Sequence, residues 1–167
     1  MLVVKQDPSK QEVKFIAGFM KANKTLNKLN LSPALAVLKS VDASRFTFVV
    51  TVEREPIALV GVCNYPYEED AGLVWLMTTD KVAEHPVEFC KVIKNLVQTY
   101  GFMYSKLFSF VETTDLDHQK FNKFMGFSQT PTLITELKEN TEYICYEQYT
   151  PKGLEALYNQ PSYSNVR

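Results

Sequence analysis

The stretch GLVWLMTTDKVAEHPVEFCK, Gly72 to Lys91, decides the fold. Its first part, Leu73–Met77, is an apolar run with the length and composition of a strand. A polar loop without a single glycine follows. Pro86 then opens a helix at the first helical position, where its missing N–H costs nothing. Phe89, Ile93, Leu96, Val97 and Tyr100 fall on one side of that helix, and Gly101 stands where a C-terminal cap belongs. The next apolar run, Leu107–Val111, is again a strand. Strand, helix and strand in that order make a crossover, which predicts two neighbouring parallel strands.

Upstream, Leu2–Lys5 reads as a first strand, and Asp7-Pro8 as the start of a helix carrying Val13, Ile16, Phe19 and Met20 on its apolar face. A second helix opens at Ser32-Pro33 and runs to about Val41, with residues Asn23–Asn30 as an exposed connection. Phe46–Val52 alternates as a strand, and the near-continuous apolar run Ile57–Cys63 fits a central strand covered on both faces.

Downstream, TTDLDHQKF begins a short helix through Phe121, Phe124 and Met125 that Gly126 closes. Thr130–Leu137 and Tyr143–Tyr149 read as a final antiparallel pair joined by the turn KENT. The expected architecture is α/β (α+β): a mixed, mostly antiparallel, twisted sheet of about seven strands with helices on both faces. A single domain over 1–150 and a flexible tail over 151–167 complete the expectation.

Composition narrows the function classes. The chain has 167 residues, 46% hydrophobic and 22% charged, with a net charge of −1. It therefore lacks the Lys/Arg surplus of a nucleic-acid-binding protein. No segment is long and apolar enough to span a membrane, and the N-terminus does not read as an export signal. Cys63, Cys90 and Cys145 are odd in number and widely spaced, which suits free thiols in a cytoplasmic protein. His85 and His118 are the only histidines and have no metal-ligand spacing to a cysteine, so no metal is expected.

The element order resembles that of the GNAT family, the acyl-CoA-dependent N-acetyltransferases, over roughly residues 1–149. The segment LFSFVETTDLDHQKFNKFMGF carries the likeness best: a buried strand, a polar turn, a short helix and a closing Gly-Phe. A narrower resemblance links Trp75, Thr79-Asp80, His118, Phe121 and Gly126 to small GNAT-like accessory and internal virion proteins of short-tailed DNA phages.

The family resemblance implies a V-shaped split between strands four and five, with acetyl-CoA as cofactor. Its pantetheine would bond to the backbone of Trp75, Leu76 and Met77. Its pyrophosphate would meet the loop at Thr78 and Thr79 and the N-terminus of the next helix, where orphan N–H groups attract anions. Asp115 and His118, at the start of the last helix, are further candidates for contact. A carboxylate or water relay would take the amine proton, and a tyrosine would protonate the leaving thiolate.

Two departures stand against that implication. The family's loop has an Arg or Gln, then two residues, a Gly, one residue, and a Gly or Ala, and TTDKVAEHPVEF contains no such run. Asp80 and Glu84 also bring negative charge to the loop, and two unit charges about 5 Å apart repel by roughly 3 kcal/mol at an effective dielectric near 20. The family tyrosine four residues before the closing Gly is here Asn122, whose amide releases no proton at neutral pH.

Glu112, ending strand five, is the candidate base, with Glu68, Glu69 and Asp70 as alternatives. Tyr143 is the candidate acid, with Tyr100, Tyr104 and Tyr146 beside it. Thr78 and Thr79 also suit helix capping, Asp115 suits an N-cap, Cys63 suits a small buried hydrophobe, and Trp75 suits the core.

Two functions follow as expectations. One is a phage GNAT-fold accessory protein with a degenerate acetyl-CoA site that binds a host or virion protein in the cytoplasm. The alternative is an active acetyl-CoA-dependent N-acyltransferase.

Overall fold

The computed structural model describes residues 1–20, 39–136 and 140–159. Its strands are β1 (Leu2–Gln6), β2 (Phe46–Val52), β3 (Glu55–Asn64), β4 (Ala71–Thr78), β5 (Lys106–Glu112), β6 (Ser128–Glu136) and β7 (Thr141–Tyr149). Its helices are α1 (Lys10–Met20), α2 (Pro86–Tyr100), α3 (Leu116–Phe124) and α4 (Pro151–Tyr158), with a 3₁₀ turn at Asp80–Glu84. The seven strands form one sheet in the order β1-β2-β3-β4-β5-β7-β6. Neighbours pair antiparallel at β1–β2, β2–β3, β5–β7 and β6–β7, and parallel at β4–β5. This is the mixed, mostly antiparallel α/β sheet that the strand–helix–strand crossover predicts.

The chain divides into two compact units: Met1–Cys63 with Val74–Ile93, and Asn64–Leu73 with Lys94–Arg167. In the first unit, α1 covers β2 and β3. Val13, Ile16 and Ala17 pack against Val49 and Leu59, with Trp75 and Met77 at the edge of the cluster. The helix begins later than Asp7-Pro8 suggests. Ser9 and Glu12 form a reciprocal cap: the Glu12 N–H donates to Ser9 Oγ (3.2 Å), and the Ser9 N–H donates to Glu12 Oε1 (2.8 Å). Ser-Lys-Gln-Glu is a capping box, a stronger start signal than an Asp followed by Pro. Asp7 instead turns the chain at φ 58°. The start of the helix expected from Ser32-Pro33 and the connection before it lie outside the described residues, while residues 39–43 are helical.

In the second unit, Ala71, Gly72 and Leu73 pair parallel with Lys106, Leu107 and Phe108. One face of this sheet buries Ala71, Phe108 and Cys145 beneath Tyr65, Leu73 and Phe110. The opposite face meets α3, where buried Asn122 donates to Ser109 Oγ (3.0 Å). Gly126 ends α3 at φ 96°. The Phe127 N–H reaches back to the Asn122 carbonyl (3.0 Å), the six-to-one bond of a Schellman motif.

No element was expected after β7, yet Pro151–Tyr158 form a helix capped by Thr150, whose side chain accepts from the Gly153 N–H. Among the described residues no helix is long and apolar enough to cross a membrane, and no cluster of His, Cys, Asp or Glu could hold a metal ion.

Candidate functional site

The loop from β4 into α2 is where the family resemblance would put a pyrophosphate. Thr79 is buried and serves as the N-cap of the 3₁₀ turn; its side chain accepts from the Lys81 N–H (3.4 Å). The Thr79 N–H donates to the Ile57 carbonyl (2.9 Å), the Val82 N–H to the Thr79 carbonyl (3.4 Å), and the His85 N–H to the Val82 carbonyl (3.1 Å). Four backbone donors of this short loop therefore already have protein acceptors. Pro86 has none to offer.

The side chains of the loop are engaged as well. Lys81 Nζ is bonded to Glu55 Oε2 at 2.6 Å, and that bond raises the lysine pKa. Glu88, in the first turn of α2, accepts from the Leu2 N–H (2.7 Å). The backbone and side-chain groups of this loop named here are thus bonded within the protein.

Trp75 and Met77 point into the packing of the first unit, against the cluster beneath α1. The Trp75 indole N–H donates to Ser44 Oγ (2.6 Å), and its ring lies so close over Gly61 that a Cβ there would stand 2.3 Å away. Gly61 is thus required by close approach. Leu76 and Thr78 are half-buried on β4.

In the second unit the candidate base and acid come together. Glu112 and Tyr143 are register partners in the β5–β7 ladder and are both half-buried. Directly opposed residues of an antiparallel pair hold their Cβ atoms about 4.5–5.5 Å apart. The Glu112 carbonyl also receives the Asp115 N–H (3.0 Å).

Asp115 caps α3, accepting the His118 N–H at 3.0 Å. His118 Nδ1 stands 3.9 Å from Asp115 Oδ2, and its ring leans on Phe121 with centroids 6.3 Å apart. Burial lowers the His118 pKa and outweighs the opposing pull of Asp115, so the imidazole is neutral at pH 7.

The other candidates are tied into the structure. Tyr100, Tyr104 and Tyr146 are all buried, and the Tyr104 hydroxyl donates to Asn64 Oδ1 (2.7 Å). Burial pushes the Tyr100 hydroxyl well above the ordinary phenol range and raises that of Tyr146. None of the three faces solvent, which leaves Tyr143 the best placed of the four.

Glu68 pairs with Lys106 (3.4 Å). Asp70 receives the Ser105 hydroxyl and Lys152 Nζ (2.9 Å). Burial raises all three cysteine pKa values, the opposite of an activated thiolate. Asn122, at the family's tyrosine position, is a buried bridge to Ser109. The 3₁₀ turn and the Glu55–Lys81 pair were not foreseen, and Asp-Lys followed by Glu at Asp80–Glu84 gives only a weak signal for them.

No protein-family model matches the chain. No curated protein matches it either. Solved structures do. An assigned GNAT-family acetyltransferase from Desulfovibrio desulfuricans superposes with a TM-score of 0.69 at 10% identity, covering 89% of this chain and 99% of its own. A variant of spermidine N-acetyltransferase from Vibrio cholerae gives 0.68 at 12% identity, covering 93% and 98%. The ribosomal-protein-S18-alanine N-acetyltransferase from Escherichia coli gives 0.64 at 9% identity, covering 90% and 94%. The chain has the GNAT acetyltransferase fold. At these identities the likeness is one of fold, and function has to be argued from the site.

Proposed function

We propose that the chain is a GNAT-fold binding protein whose acetyl-CoA site is degenerate and which acts by holding another protein. The loop between β4 and α2 carries this reading. Its Thr79, Lys81, Val82 and His85 N–H groups are spent on protein acceptors, and its lysine is paired with Glu55. A diphosphate would have to break those bonds beside Asp80 and Glu84, with no glycine to let the backbone approach it. Asn122 supports the same reading, since it is a buried hydrogen-bond partner where the family has an acid. The narrower sequence resemblance makes a host or virion protein the partner to look for.

Two observations favour a second reading, an active acetyl-CoA-dependent N-acyltransferase. The fold neighbours are N-acetyltransferases, and Glu112 stands opposite Tyr143 in the β5–β7 ladder. In that reading Glu112 would take the amine proton and Tyr143 would supply one.

Affinity capture from bacterial lysate separates the two. The tagged chain should retain one stoichiometric protein, and millimolar acetyl-CoA should leave it bound. Recovery of no partner, together with amine-dependent consumption of acetyl-CoA, would favour the enzyme.

A further inference from the structure

The open face of the second unit holds a cavity of about 390 Å³, with Tyr65, Phe108 and Phe110 at its floor and Glu68 and Glu147 among its walls. Strand alternation builds it. β5 sends Lys106, Phe108 and Phe110 to this face, and β7 sends Tyr149, Glu147 and Cys145 opposite them. Tyr65, from the turn before β4, lays its ring on Phe108 at a centroid distance of 4.6 Å and reaches Phe110 at 6.1 Å.

The cavity already shows what it accepts. Lys106 Nζ lies 5.1 Å from the Phe108 centroid and 4.8 Å from that of Tyr149, between Glu147 (3.1 Å) and Glu68 (3.4 Å). Ring faces and carboxylates together hold a cation. Two carboxylates face this one ammonium, so the lining keeps one negative charge in excess.

We propose that this cavity receives an arginine side chain of a partner protein. A guanidinium is flat and weakly hydrated, stacks on aromatic faces and bonds carboxylates in a fork, so it uses both features of the lining at once. The rim suits a macromolecule, because Tyr67 is 86% exposed, Tyr149 50% and Ile134 41%. Exposed tyrosines around a charged pocket are the composition of an interface. Only the partner's being a protein rests on the binding-protein reading; the choice of guanidinium rests on the cavity.

The test is an NMR titration of the full chain with Nα-acetyl-arginine methylamide, its citrulline analogue and its lysine analogue. The arginine compound should shift the Tyr65 and Phe108 signals with a millimolar Kd, and the neutral citrulline compound should bind about tenfold more weakly or not at all. Glu68→Gln, on an exposed turn, should weaken arginine binding about three- to tenfold while the spectrum stays native, and 1 M salt should weaken it in the unaltered chain. Equal shifts from citrulline or lysine, indifference to salt and to Glu68→Gln, or no shifts at all would overturn the proposal. Acetyl-CoA binding alongside intact arginine recognition would overturn only the binding-protein reading.

Discussion

Gly61 and Trp75 show how much one residue constrains another. The indole of Trp75 occupies the volume a Cβ at Gly61 would need, and its N–H is anchored on Ser44. Gly61→Ala should therefore destabilise the chain by about 1–3 kcal/mol, seen as a lower midpoint in denaturant at unchanged slope. A midpoint equal to that of the unaltered chain would mean that Trp75 moves aside freely. At this scale the sequence was partly legible. Thr79 and Asp115 were readable as caps because Thr and Asp compete for backbone N–H groups wherever they precede a helix. The partners of Lys81 and Asn122 were not readable, because Glu55 and Ser109 reach them only through tertiary pairing.

At the scale of elements, two closures make separate predictions. Gly126 ends α3 in the left-handed region, where a Cβ costs about 1–2 kcal/mol, so Gly126→Ala should lower the thermal midpoint by several degrees. The second closure is Asp70, which joins the turn before β4 to Ser105 and to Lys152 of α4. Burial alone would raise its pKa, but the hydrogen bonds from Ser105 and Lys152 outweigh that and hold it below the ordinary value.

A carboxylate depressed in the folded state lends stability that is present above its unfolded pKa and is lost as pH falls through the folded one. Asp70→Asn should therefore melt earlier than the unaltered chain at pH 7, with the gap closing below about pH 3.9. A gap independent of pH would assign the effect to packing. The missed helix α4 belongs to this scale. Thr150-Pro151 is the same cap-and-proline start that the sequence offers elsewhere, but a short polar stretch after the last strand reads as tail until Lys152 is seen to reach Asp70.

For the whole molecule, the order of strands was legible because a strand, a Pro-started helix and a second apolar strand leave few topologies open. The parallel β4–β5 pair follows from that reading, whereas the placing of β7 between β5 and β6 is set by tertiary pairing. The candidate site was less legible for a physical reason. Glycine-free loops differ in whether their N–H groups are spent, and that is settled by the 3₁₀ turn and by Ile57 across the sheet, which no spacing in the sequence encodes.

The proposed loss of acetyl-CoA binding turns on the loop between β4 and α2, whose N–H groups are spent on protein acceptors. Isothermal titration of the chain with acetyl-CoA tests it directly. The account predicts heats equal to dilution up to about 1 mM acetyl-CoA, whereas a one-to-one isotherm with a Kd of about 10 μM would contradict it.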